Sequence, residues 1–199
     1  MKFKRKFVAY LLWLVVLAGL GDRKWNLQAV REFAMNSPLV VNSLADDGAD
    51  SSPGDGICAD STGKCTLRMA IVEANARDGD DTITFQEGLT GTLTIGFHLQ
   101  ITSNIKINGP GEQLLRIDGN NQNRIFLINA EKVSLVGLTI ANGQTFRDTP
   151  DFFGGGIYHN GGILNIADYP KYLAPVGLGG QVPLGFPSTF SLPRPFRIA

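Results

Sequence analysis

The strongest constraint on this chain is a repeat. From Asp81 onward, short β-rich runs alternate with turns rich in Gly, Asn and Asp. The runs are Ile83-Thr84-Phe85, Leu93-Thr94-Ile95, Ile105-Lys106-Ile107, Leu115-Arg116-Ile117, Ile125-Phe126-Leu127-Ile128, Val133-Ser134-Leu135, Leu138-Thr139-Ile140 and Leu164-Asn165-Ile166. Ile95, Ile117, Ile140 and Ile166 follow one another at 22, 23 and 26 residues, and Phe85, Ile107 and Ile128 at 22 and 21. Two interleaved series with one quasi-period do not suit a sandwich. They predict an all-β solenoid over residues 81–168 in which each coil supplies more than one strand. Within a run the residues alternate: Ile105 faces in, Lys106 out, Ile107 in. Asn108-Gly109, Asp118-Gly119 and Asn142-Gly143 follow strands at matching places. Left-handed backbone is expected at these corners.

A solenoid has an open end with unpaired strand edges, and it needs a cap to stay soluble. The stretch just upstream supplies one. Cys58 to Ala76 reads CADSTGKCTLRMAIVEANA. Thr66 is placed to be an N-cap. Leu67, Ala70, Ile71 and Ala74 recur at i, i+3, i+4 and i+7, the stripe of an amphipathic helix. Asn75 and the pair Asp78-Gly79 mark its end. Residues 39–80 are therefore read as an N-terminal cap, with Thr66, Leu67, Arg68 and Ile71 as its candidate structural residues. Leu67, Ile71 and Ala74 are expected over the first rung. Leu39-Val40-Val41-Asn42-Ser43 reads as a short strand, and residues 22–38 as a connector.

Residues 1–21 have the layout of a secretory signal. Lys2, Lys4, Arg5 and Lys6 form a positive start, Phe7 to Leu20 is an unbroken apolar run, and Ala18, Gly19 and Gly21 offer cleavage positions. The run is short for a membrane span, which needs ~20 residues. The membrane is then met only through this signal, and the expected destination is secretion or the bacterial cell surface. The formal net charge is +0; without residues 1–21, which hold four of the 18 basic and none of the 18 acidic residues, it becomes −4. A weakly acidic body argues against nucleic acid, which needs a basic patch. In a cytosolic protein Cys58 and Cys65 would be free thiols or half a metal site. In an oxidising compartment, two cysteines with none left over point to one disulfide closing a small loop.

Cys65-Thr66-Leu67-Arg68-Met69-Ala70-Ile71, preceded by Asp47-Gly48 and Asp55-Gly56-Ile57-Cys58 and followed by Glu73-Ala74-Asn75, resembles the CSLREA domain. That module lies N-terminal in bacterial surface and secreted proteins with right-handed parallel β-helices. Asp81-Thr82-Ile83-Thr84-Phe85, Ile107-Asn108-Gly109-Pro110-Gly111 and Gly154-Gly155-Gly156-Ile157-Tyr158 are similar to their early coils. The resemblance covers about Val40 to Ala167. It implies a pectin-lyase-like right-handed parallel β-helix at the cell surface and no established catalytic residues. The chain departs from the pattern at Met69, where the motif has Glu. Thr-x-x-Glu forms a capping box, so a weaker helix start is expected here, with a gain in stability for Met69→Glu.

A second departure is the tail. Residues 169–199 hold six of the ten prolines (Pro170, Pro175, Pro183, Pro187, Pro193 and Pro195). Proline excludes central strands. The tail is expected to be disordered, from a truncation or a frame change, with most of the solenoid missing.

No catalytic constellation is expected. The acidic loop with Asp46, Asp47, Asp50, Asp55 and Asp60 is a candidate for calcium, which takes six to eight oxygens. It lacks the EF-hand spacing, and a solvated set of Asx turns is the favoured reading. Arg116 and Asp118 lie close together, but a β-helix lyase or hydrolase needs several acids on adjacent coils. The expected rung neighbours, Thr94 and Thr139, are not acids. Asp118 reads as a turn residue, and His98 and His159 as surface or turn histidines. Gly154-Gly155-Gly156 lacks the Lys-Ser/Thr of a phosphate loop and reads as a flexible corner. The expected function is thus a non-catalytic, adhesin-like module contacting an extracellular glycan or another surface protein, without a cofactor. The alternatives are a polysaccharide lyase or glycoside hydrolase on the same fold, and a non-functional fragment.

Overall fold

A computed structural model describes residues 37–145, 154–167, 189–192 and 197–198, the last two segments as backbone only. The expected signal, most of the connector and most of the tail lie outside the described residues. Strands β1 (Leu39–Val41), β2 (Asp80–Phe85), β3 (Gly91–Thr94), β4 (Leu99–Ile101), β5 (Asn104–Asn108) and β6 (Leu115–Asp118) are followed by β7 (Phe126–Ile128), β8 (Lys132–Val136) and β9 (Thr139–Ala141). Then come β10 (Ile157–His159), β11 (Ile163–Ala167), β12 (Thr189–Leu192) and β13 (Arg197–Ile198). A single helix among the described residues, α1 (Leu67–Ala76), lies between β1 and β2. The protein is mostly β, with parallel sheets and this one short helix.

From β2 to β11, each strand pairs in parallel with the strand three further on. The large sheet runs β1-β2-β5-β8-β11-β12, a second β13-β10-β7-β4, and the third β3-β6-β9. Each inner face carries an aliphatic ladder. Ile83 sits opposite Ile107, and Ile107 opposite Leu135 and on to Ile166. Leu93, Ile117 and Ile140 align in the third sheet, and Leu99, Phe126 and Ile157 in the second. These residues form one continuous buried cluster. At about 25 cal/mol per Å² of apolar surface, this shared core is the main stabilising term.

The spacing of the repeat is found, but its partners are partly different from those expected. Ile117 and Ile140 do face each other. Leu93 rather than Ile95 opposes Ile117, and Ile166 lies in the large sheet opposite Leu135. Phe85 pairs with Val41, and Ile128 belongs to the second sheet, opposite Ile101. Inward residues recur every second position, so a two-residue slip preserves the apolar pattern.

The corners also differ in their reason. Of the three turn pairs, only Asn142 adopts a positive φ, at 55°. The glycines are there for room. A Cβ on Gly109 would lie 2.0 Å from the Gly137 carbonyl oxygen, and one on Gly143 would lie 2.2 Å from that of Gly155. Gly154-Gly155-Gly156 is therefore a close-packed corner, not a flexible one.

Two short segments of the tail are described. Thr189–Leu192 and Arg197–Ile198 pair antiparallel with β11 and β10. Both segments are free of proline, and Pro187, Pro193 and Pro195 flank them. As edge strands they satisfy the outer groups of β11 and β10 without requiring a proline to donate.

Candidate functional site

The cap is built around α1. Thr66 stands in extended backbone before the helix, and its hydroxyl accepts from Met69 N at 3.3 Å. Leu67, Ala70, Ile71 and Ala74 are all buried, as the stripe requires. The helix packs on β1, β2 and β4. Cys58 and Cys65 form the expected disulfide. Its loop is tied to the end of β1 through Asn42, whose side chain accepts from Cys65 N (2.9 Å) and donates to Gly63 O (3.0 Å). Asn42 N also donates to Cys65 O.

Met69 is 1 % exposed. It lies under the acidic loop, its sulfur within 3.4 Å of where a Cβ on Gly48 would stand. The position is a core site, not the solvent-facing third turn position that a capping box presumes.

Two roles in the cap went unread in the sequence. Glu73 is fully buried and accepts from Gly54 N and Gly56 N, clamping the acidic loop to the helix. Asn75 reaches past the helix end to β4: it donates to Gln100 O (2.8 Å) and accepts from Thr102 N (2.9 Å). The available signal was a charged residue, Glu73, within a helix whose neighbours are apolar on both sides. One turn on, Arg77 pairs with Asp81 at 3.2 Å, with side chains 2 % and 5 % exposed. Asp81 occupies an inward position on β2, beside Ile105. Burial pushes its pKa up, opposed by the Arg77 charge and reinforced by Glu73 and Asp80.

The calcium expectation does not fit this geometry. Among the described residues, no three acidic, His or Cys side chains converge as a metal site. Asp46 takes both Nε and NH2 of Arg68 (2.9 and 2.8 Å) and accepts from Gly96 N. Asp47 pairs with Lys64 at 2.8 Å, and that bond holds its carboxyl below the usual range. Asp50 and Asp55 accept from Ser52 N and Ile57 N, two residues on in each case. Asp60 likewise binds Thr62, whose hydroxyl lowers its pKa first, and Lys64 N. The carboxylates are spent on turns and ion pairs.

The other candidates also separate. Arg116 and Asp118 do bond, at 2.9 Å. Of the expected rung neighbours, Thr94 does lie opposite Asp118, and Thr139 lies opposite Arg116; on its other side Asp118 meets Ala141. Burial pushes Asp118 up, but bonds from Asn120 N, Arg116 and Asn142 outweigh it and hold the pKa low. Asp118 is a turn anchor. His98 is half-buried, stacks on Phe97 at 4.1 Å, and has its pKa lowered by burial and then by Arg124 and Arg68. His159 is not a surface or turn residue. It is 1 % exposed, lies on β10 opposite Ile128, and continues the inward row Ile101–Ile128. Neither ring nitrogen has a hydrogen-bonding partner among the described residues. Burial lowers its pKa, against a weaker pull from the Gly161 backbone.

What remains is the outer face of the large sheet. One row, Asp80–Asn104–Lys132, is fastened: Asn104 donates to Asp80 (2.9 Å) and accepts from Lys132 N (2.9 Å), and the Lys132 ammonium meets Asp80 at 3.2 Å. The Asn104 bond, then Lys132, lowers the Asp80 pKa. The next row is Thr82–Lys106–Ser134–Asn165, in register across four strands. No described residue holds any of these four side chains. Parallel strands are ~4.8 Å apart, so the row spans roughly 14 Å.

Among the described residues no helix is long and apolar enough to cross a membrane. Comparison with family models, curated proteins and solved structures found no match to the chain.

Proposed function

We propose that this chain is an exported, non-catalytic surface module whose outer sheet face contacts extracellular glycans. On this reading the three sheets are the faces of one right-handed parallel β-helix, each coil giving one strand to each face. The parallel pairing of each strand from β2 to β8 with its third successor supports the coil, and the strong preference of parallel crossovers for the right hand supports the handedness. The residues that resemble the CSLREA domain, the signal-like N-terminus and the disulfide support export.

The observation that carries the contact surface is the row Thr82–Lys106–Ser134–Asn165. It offers hydroxyl, ammonium and amide groups at strand spacing, with an exposed cation in Lys106. Repeated weak hydrogen bonds along one rigid row add by avidity, and Lys106 favours glycans that carry carboxylates. A polysaccharide lyase or hydrolase would need acids on adjacent rungs, and Asp118 has Thr94 and Ala141 beside it.

The test is retention on immobilised acidic and neutral glycans, with Lys106→Ala and Asn165→Ala as variants. Retention on acidic glycans that falls at least about tenfold, roughly 1.4 kcal/mol, in Lys106→Ala is expected. Unchanged retention in both variants removes the face from the reading. Unsaturated uronate product in the presence of calcium contradicts a non-catalytic module.

A further inference from the structure

β4 is the outermost strand of the second sheet, and its outer edge should be open to another strand. Its inner edge is used by β7: Leu99 N donates to Ile125 O (2.7 Å), and Ile101 O accepts from Asn129 N (2.8 Å). The groups that point the other way belong to His98, Gln100 and Thr102. In a parallel ladder, one residue of an incoming strand donates to the carbonyl before its partner and accepts from the amide after it. Asn75 does both with its side chain, taking Gln100 O and Thr102 N on either side of Ile101. Arg68 completes the edge. Its NH1 donates to His98 O (3.1 Å) and its NH2 to Phe97 O (2.6 Å), while Asp46 fixes the guanidinium from behind.

We propose that Arg68 and Asn75 are edge guards: their side chains stand in for a missing strand on β4 and so prevent a second copy of this chain from adding a strand there. The occupant excluded is another copy because the edge offers backbone groups and no side-chain pocket, so it selects for strand geometry rather than for a particular ligand. β1 and β3 are the outermost strands of the other two sheets on this end, and the edge of β1 is blunted differently. Pro38 precedes this strand, and the backbone amide of Asn42 is taken by Cys65 O. The guards therefore close the outer edge of β4 with side chains alone. Guarding depends only on the local pairing of β4 and is independent of the handedness of the coil and of any glycan.

Sedimentation over a concentration series, with far-UV circular dichroism, tests this on the mature chain. Asn75→Ala is expected to fold and to at least double its weight-average mass as concentration rises. Asn75→Asp keeps the acceptor for Thr102 N and loses only the donor to Gln100 O, so a smaller increase is expected. Adding Gln100→Pro to Asn75→Ala removes an outward-facing amide and should return the mass to that of the parent. A monomeric Asn75→Ala overturns the proposal, as does association that survives Gln100→Pro. Loss of the β signal in Asn75→Ala also overturns it, because Asn75 is then required for folding rather than for guarding.

Discussion

Single residues decide several features of this molecule against their first reading. His159 fills an inward site in a row otherwise made of Ile101 and Ile128. Its pKa is lowered by burial from the ordinary 6.5. A depressed folded-state value means that the neutral ring is favoured, so this contribution is intact above about pH 6.5 and is lost as pH falls below it. Asp81, raised by burial, works in the opposite sense. The informative readout is therefore a comparison: urea midpoints at neutral and mildly acidic pH for the parent and His159→Leu. Leu is expected to add about 1 kcal/mol at neutral pH and to flatten the decline on acidification. An unchanged slope contradicts a buried neutral histidine. At Met69 the structure reverses the expected sign. A capping bond contributes about 1 kcal/mol, but losing the buried Met side chain costs about 1.5–3 kcal/mol. Met69→Glu should lower the melting temperature; a rise would show that the site opens readily.

At the scale of elements, the corners carry more information than the strands. Gly109 against Gly137 and Gly143 against Gly155 bring backbones closer than any Cβ allows. Gly143→Ala must displace the Gly155 segment and should cost ~1–3 kcal/mol, measured by chemical denaturation. A smaller loss than for a surface Ala substitution contradicts close packing there. The helix and its N-cap were legible because an i, i+3, i+4, i+7 stripe and a Thr before it have few other uses. β4 and β10 were not, because polar and ring side chains break up their apolar runs: β4 follows His98 and holds Gln100, and β10 holds Tyr158 and ends on His159. Glu73 and Asn75 were unread for another reason. Their partners lie 17 to 28 residues away in the chain, at Gly54, Gly56, Gln100, Thr102 and Ser103. No local pattern announces a side chain that serves a distant backbone. The acidic loop misled in the opposite way, since Asx turns and metal loops share one composition.

At the scale of the whole molecule, the repeat period was visible and the register was not. The period follows from how much chain one circuit consumes, and it survives small errors in alignment. The register depends on which of several equivalent inward residues meet, and only the corner geometry fixes that. The proposed contact face depends on this register, because Thr82, Lys106, Ser134 and Asn165 form a row only if each strand is aligned as described. The same alignment leaves Asp118 without acidic neighbours, so the non-catalytic reading rests on it too. Cysteine cross-linking measures it most directly. Adjacent positions in the row are ~4.8 Å apart, inside the Cα range of a disulfide, about 4.4–6.8 Å, and positions one strand further are outside it. Under mild oxidation, Lys106→Cys with Ser134→Cys should close a new disulfide quantitatively, while Lys106→Cys with Asn165→Cys should not. Failure of the first pair, or closure of the second, contradicts the stacked row and with it the face proposed to bind.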